Sequence, residues 1–289
     1  MGRLRARSRA AGAGQGAMMA PAAPSVRRRR RPNFAVYVYP VVTVAVLFVV
    51  WELLARAGYF PRYILPAPTG IAARFVQFKG LIARELLVTM EETLVGFALS
   101  VVFGIPLAMA LCASRTFNCA VYPLLIGSQV VPKVALAPLF LLWFGFGLTS
   151  KALIVFLVAF FPIVVDTIVG LSSTEPGKLY VARAAGATPL QLFWRVRLPN
   201  ALPAIFGGMK VAITLAVVGA IVGDFIAAEN GIGRLLLSAN GNMDTELLFA
   251  AILALIAAGI VLFLLMEAVE KLALPWHISQ RRDGSGAAP

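Results

Sequence analysis

Four charged residues lie in or beside runs that are otherwise apolar. Lys133, Asp166 and Asp224 fall inside hydrocarbon-rich stretches, and Glu229 follows Asp224 by five positions. An ionised side chain at the centre of a bilayer costs about 2.5–3.5 kcal/mol on insertion scales, so such groups face a bundle interior or a water-filled path. Two kinds of chemistry fit them. One is a polar pathway or gate for a solute, with Asp224 and Glu229 near the end where solute arrives. The other is an internal ion pair, Lys133 with Asp166 or Asp224, that holds spans together. A proton relay fits poorly, because the chain has one histidine, His277, and no run of carboxylates to pass a proton along.

Bond chemistry is not expected. No Gly-x-x-x-x-Gly-Lys-Ser/Thr occurs, so the chain carries no P-loop for ATP, and Gly-x-Ser-x-Gly and His-Glu-x-x-His are absent as well. The two cysteines, Cys112 and Cys119, are seven residues apart and read as small apolar fillers. With His277 they cannot close a zinc site without carboxylates. The expectation is no catalytic residue, no metal and no cofactor on this chain.

A second group of residues points to a partner. Residues 173–200 interrupt the apolar runs with Lys178, Arg183, Arg195 and Arg197, so this segment leaves the bilayer. Ala182, Ala184 and Ala185 give a helix with little bulk on one side, which another protein surface can approach closely. Gly186 ends that helix in a conformation glycine adopts cheaply. Thr188-Pro189 predicts a new helix start, with threonine as cap and proline in the first turn. Leu190, Phe193 and Trp194 then share one face for docking, and Leu198-Pro199 sets where the next span begins. An ordinary re-entry loop explains the caps but not the spacing of Gly186 and Leu198-Pro199.

These residues are carried by a chain that is 60% hydrophobic and 13% charged over 289 residues, with mean hydropathy +0.86. Soluble domains carry about 25% charged residues, and a span needs about 20 apolar ones. The pattern predicts an all-α polytopic membrane protein with about six spans, at 34–55, 88–112, 120–144, 152–171, 201–227 and 247–272. Between the first two, 58–85 has the look of a short surface helix starting at Pro66-Ala-Pro68-Thr69. The expected organisation is an Arg-rich disordered tail at 1–33, a transmembrane domain at 34–277 and a C-terminal tail at 278–289.

The net charge of +13 is placed rather than spread: nine of the 26 lysines and arginines precede residue 34, and no acid occurs before Glu52. With the N-terminus inside, the inside segments hold seventeen cations and the outside segments seven. The bias puts both termini, and residues 173–200, in the cytoplasm. Organelle transit peptides share the Arg-rich, acid-free composition of the leader. Nucleic-acid binding is disfavoured, since no aromatic pattern or recognition fold accompanies the basic tail.

The polar segment resembles the "EAA" loop of ABC-importer permeases: Glu-Ala-Ala, three residues, Gly, nine residues, Ile, one residue, Leu-Pro. Gly186, Val196, Leu198 and Pro199 fall on that spacing, while Tyr180 and Val181 stand where Glu and Ala would be and Ala182 completes the triplet. Residues 132–147, Ser150-Lys151, Phe160-Phe-Pro-Ile163, Gly223-Asp224-Phe225 and Gly231-Ile-Gly233 look like the nitrate/sulfonate/taurine-type permeases. Ser238-Ala-Asn-Gly241, Asp244-Thr245, Leu247-Leu-Phe-Ala250 and Leu274-Pro-Trp-His277 look most like permeases for thiamine-precursor pyrimidines or related flat heterocycles.

The resemblance implies the type I ABC-importer permease fold in a bacterial inner membrane. It implies ATP-driven import of a small organic or anionic solute by alternating access. ATP and Mg would sit on a partner ATPase, docked on a coupling loop formed by Ala182, Ala185, Gly186, Ala187, Thr188, Pro189, Leu198 and Pro199. A second copy of the chain, a periplasmic or lipoprotein substrate-binding protein and membrane lipid would complete the assembly. The rival is an ion-coupled secondary transporter using Lys133 and Asp166, for which residues 173–200 would be dispensable.

Overall fold

The computed structural model describes residues 35–58, 61, 63–227 and 229–274. The expected tails at 1–33 and 278–289, and His277, lie outside the described residues. All regular structure among the described residues is helical. The chain divides into two units at Leu47/Phe48, within the first helix, α1 (Ala35–Arg56).

In the second unit follow α2 (Pro68–Gln77), α3 (Lys79–Ala113), α4 (Arg115–Gln129), α5 (Ala137–Phe144), α6 (Leu148–Ser172), α7 (Pro176–Ala184), α8 (Pro189–Leu192), α9 (Leu198–Ala227), α10 (Ile232–Gly241) and α11 (Thr245–Ala273). Four helices are long and apolar enough to cross a membrane, or five if α4 and the 133–144 segment count as one bent span. α1, 22 residues long with Glu52 and Arg56 as its only charges, also has spanning length.

The core is the bundle of α3, α6 and α9, with α10 and α11 packed on α9 and α2 on α11. Small residues make it possible. Ala212, Ala216 and Ala220 of α9 are fully buried. A Cβ on Gly219 would come 3.1 Å from Val155 Cα, and one on Gly170 would come 2.9 Å from the Ala201 carbonyl oxygen. In lipid no hydrophobic force draws helices together, so close backbone approach and dispersion must. Ser100 Oγ adds a bond between helices, donating to the Phe156 carbonyl at 3.1 Å. Large apolar side chains such as Val102, Leu142 and Leu264 stay more than half exposed, as expected where the solvent is hydrocarbon.

Two boundaries differ from the sequence reading. α3 starts at Lys79, nine residues before the expected span, because Ile82 and Glu85 are already buried against the bundle. The surface helix is therefore the short α2, which does begin at Pro68. The expected third span is broken: α4 and the segment from Lys133 to Phe144 meet at 89°. Pro132 stands at the break with ψ 98°, and Pro138 opens α5. Proline removes a donor and biases the preceding residue away from helix, so the run of apolar residues cannot continue as one rod.

Candidate functional site

The polar loop is built by local rules. α7 ends at Ala184 with Ala185 as its C-cap, and Gly186 follows at φ 79°. Ala187 N donates to the Ala182 carbonyl at 3.0 Å and Gly186 N to the Arg183 carbonyl at 2.9 Å, which is the Schellman arrangement that satisfies the last carbonyls of a helix. Two residues later Thr188 caps α8. Gln191 N donates to Thr188 Oγ1 at 3.3 Å, and Thr188 N donates to Gln191 Oε1 at 3.0 Å, a capping box that satisfies two orphan donors reciprocally. Pro189 holds the first turn. The chain passes through a π-turn, Phe193–Arg197, into α9 at Leu198.

Phe193 is half-buried, packing beside Leu171, Ala201 and Ile205 while still facing the same groove as Leu190 and Trp194. Leu190 and Trp194 remain 69% and 56% exposed, and Tyr180 and Val181 of α7 are exposed as well. Leu190, Phe193, Trp194, Pro189 and Met109 line that groove, of about 600 Å³.

At the other end of α9 lies a buried ionic cluster that the sequence reading only touched. Lys151, one residue before the expected span at 152–171, sits in the first turn of α6 and is 4% exposed. Its ammonium donates to Glu92 Oε1 at 2.8 Å, to Asp224 Oδ1 at 2.8 Å and to the Asn230 carbonyl at 2.7 Å, so all three protons are used. Asp224 is fully buried. Its Oδ2 accepts from Thr89 Oγ1 at 2.7 Å and from Gly233 N at 3.1 Å. Thr89 Oγ1 in turn accepts from Ile232 N at 2.8 Å. Glu85 accepts from Gly231 N at 2.8 Å and from Arg234 Nη2 at 2.7 Å. The carboxylates of α3 and α9 and the ammonium of α6 thus clamp the backbone of residues 230–233 at the start of α10. Gly231 has φ 105°, and a Cβ there would collide with the Asp224 carboxylate. Glu92 Oε2 is buried without a partner.

The remaining predicted residues are not brought together. Lys133 does not pair with Asp166 or Asp224; its ammonium lies 4.3 Å from the Phe161 ring centroid, a cation–π contact. Asp166 is half-buried on α6 beside Gly208 of α9 and has no ion pair among the described residues. Glu229 is exposed. Lys210 of α9 pairs with Glu270 of α11. Glu85, Thr89 and Glu92 were not singled out, yet their spacing along α3, continued by Gly96 and Ser100, puts polar and small groups on one helical face.

Long apolar helices around a buried ionic clamp, with one capped polar loop, define a polytopic membrane protein. Residues 100–274 match the family described as "Binding-protein-dependent transport system inner membrane component", and the chain belongs to that family, as a permease subunit of an ABC importer. It is 38% identical over 242 residues to the formylaminopyrimidine transport permease protein of Halalkalibacterium halodurans, covering 83% of this chain and 96% of that protein. It is 37% identical over 258 residues to the riboflavin transport system permease protein of Chloroflexus aurantiacus, covering 89% and 96%. The fold matches a chain of the MetNI methionine ABC transporter in an inward-facing conformation, with TM-score 0.53 and 22% identity over 66% of this chain and 98% of that one. ATP hydrolysis in this class is done by a separate ATPase chain, and a separate binding protein delivers the solute.

Proposed function

We propose that two copies of this chain form the pathway for a small, flat nitrogen heterocycle, moved by alternating access. Two ATPase chains, which hold the ATP and Mg, dock on residues 173–200. The observation that carries the docking is the loop itself. It is capped on both sides of Gly186 and leaves Leu190 and Trp194 exposed beside a groove. A rigid element transmits a push from the ATPase dimer, whereas a frayed one would absorb it. The coupling residues are those predicted: Ala182, Ala185, Gly186, Ala187, Thr188, Pro189, Leu198 and Pro199.

The heterocycle rests on the relatives named for a formylaminopyrimidine and for riboflavin. Sulfonates, taurine and nitrate form the alternative class. Asp166, Lys133 and Glu229 are the groups we assign to the pathway. The burial of Asp224 supports a role in anchoring a gate at 230–233 rather than in touching solute. The cation bias of the sequence supports both termini in the cytoplasm.

The test is reconstitution in liposomes of the permease, its ATPase and its binding protein. ATPase stimulation by the binding protein loaded with a pyrimidine or flavin, and absent with taurine or nitrate, supports the substrate class; the reverse pattern replaces it. Gly186→Trp should leave the protein inserted and stop uptake. Undiminished uptake in liposomes lacking ATP would favour the ion-coupled carrier.

A further inference from the structure

Two helices of this chain end in the same hydrogen-bond pattern on different residues. After α7, Gly186 N donates to the Arg183 carbonyl and Ala187 N to the Ala182 carbonyl. After α10, Met243 N donates to the Asn240 carbonyl at 3.1 Å and Asp244 N to the Ala239 carbonyl at 2.9 Å. Each pattern needs one left-handed residue beyond the helix. Gly186 supplies it at φ 79° and Met243 at φ 55°. Glycine adopts that backbone without steric cost, whereas a Cβ is driven towards the following carbonyl oxygen. Met243 is the one residue other than glycine with positive φ among the described residues. Glycine would close this turn at lower cost, so the turn itself does not account for a methionine.

Packing within the chain does not account for it either, since Met243 is 75% exposed. Two residues on, Thr245 Oγ1 donates to the Tyr63 carbonyl at 2.8 Å. That bond brings up the turn in which Ile64 N and Leu65 N donate to the Pro61 carbonyl. Tyr63 and Ile64 on this second turn are more than half exposed. The surroundings are polar. Ser238, Asn240 and Asn242 are exposed, and Arg74 pairs with Asp244 and Glu246 at 3.5 Å. An exposed apolar patch with a polar rim marks a contact surface, and methionine and tyrosine are enriched where proteins meet. A patch made for an anionic lipid surface would offer free cations at its rim. Arg74, the cation held at this rim, is engaged by two carboxylates instead.

We propose that Met243, Tyr63 and Ile64 form a docking surface for the importer's solute-binding protein, with the methionine as its apolar anchor. Methionine is unbranched and polarizable, so it adapts to a partner surface. The inference rests on the proposed function, in which residues 173–200 face the cytoplasm. α9 runs from that loop across the membrane, and α10 with its closing turn lies at the far end. α10 also carries the clamped residues 230–233 at its start and Met243 just past its end. A partner seated on Met243 therefore bears on the gate through one ten-residue helix.

The test titrates the full-length chain, assembled with its ATPase in phosphatidylcholine nanodiscs, with the purified solute-binding protein of the importer. Met243→Gly should weaken binding about tenfold, as truncation of an interface anchor does. It should raise by the same factor the concentration of binding protein that half-maximally stimulates ATP hydrolysis. The melting temperature of the free chain should hold or rise, because the backbone strain is relieved; a merely structural methionine would lower it. Met243→Leu keeps the apolar surface and should bind nearly as tightly as the wild type. Tyr63→Ala should also weaken binding, and it leaves the α10 turn untouched. Wild-type affinity in both Met243→Gly and Tyr63→Ala overturns the proposal. Loss of the permease dimer in Met243→Gly without binding protein present, read by light scattering, assigns the patch to a second copy and overturns it too. A melting temperature that falls in nanodiscs but not in detergent assigns the patch to lipid, with the same consequence. If the wild-type chain itself does not bind the protein, the partner is wrong and the proposed function fails with it, whichever residues form the patch.

Discussion

The Lys151 ammonium on α6 stands 2.8 Å from the Asp224 carboxylate on α9, 73 positions along the chain, with side-chain exposures of 4% and 0%. The pair joins the two helices that pack most extensively in the molecule, and through Glu92 it reaches α3.

Breaking one side of that pair should cost far more than replacing both. Asp224→Ala leaves Lys151 with Glu92 alone as a charged partner, and removes the acceptor of Thr89 and Gly233 N. Loss of one partner of a buried pair costs about 3–5 kcal/mol, whereas an apolar pair of similar volume is often neutral. Thermal unfolding in detergent should show a large drop for Asp224→Ala and partial recovery in Glu92→Gln/Lys151→Met/Asp224→Leu, in which Glu92 is not left as an unpaired charge. A single variant that melts with the wild type would show the pair to be dispensable.

Gly231 should not tolerate a side chain. Its φ of 105° and the Asp224 carboxylate packed against it leave no place for a Cβ, so Gly231→Ala should destabilise by more than about 1 kcal/mol. A Cβ at Gly241, the last residue of α10, would meet nothing within 4 Å. Gly241→Ala should be neutral or slightly stabilising, and a side-by-side melt of the two variants distinguishes a local strain from general sensitivity to alanine.

The loop caps should act locally. Gly186 sits at φ 79° with open space around it, so Gly186→Ala meets backbone strain but no clash. Thr188→Ala removes the capping box at a cost of about 1 kcal/mol. Neither change touches the core, so amide hydrogen exchange should quicken in residues 176–192 while the global melting temperature barely moves. Uniform acceleration across the bundle would contradict that local role.

Trp194 should matter for assembly and not for folding. It is 56% exposed, whereas the neighbouring Phe193 is half-buried against Leu171, Ala201 and Ile205. Truncating a hot-spot aromatic costs about 2 kcal/mol or more, roughly thirtyfold in affinity. Trp194→Ala should therefore weaken ATPase binding in a detergent co-purification by that factor and leave the melting temperature of the free chain unchanged. Full ATPase retention would place the contact elsewhere on the loop.

Much of this protein is written in short-range sequence. The Gly186 turn, the Thr188 cap and the Pro68 helix start were legible because each depends on residues within a few positions of one another, and the bonds that satisfy them span three to five residues. The long apolar runs gave the spans for the same reason: bilayer thickness converts directly into a residue count. The family was legible from the spacing of Gly186 and Leu198-Pro199 along the chain.

The ionic clamp was not legible in this way. Lys151 drew no pairing from the sequence, and Asp224 was set beside Lys133, because sequence alone ranks an intramembrane charge by its cost and not by its partner. All but one of the partners, Gly233 N for Asp224, come from 59 to 149 residues away, as with Glu92 for Lys151 and Arg234 for Glu85. The sequence by itself determined an all-helical membrane chain with one capped polar loop, since propensity, capping and hydropathy act over a single turn or a single span. Only the tertiary structure decided which charges meet, because the small residues of α6 and α9 set how close the helices come, and that spacing fixes which acceptors lie within reach of one ammonium.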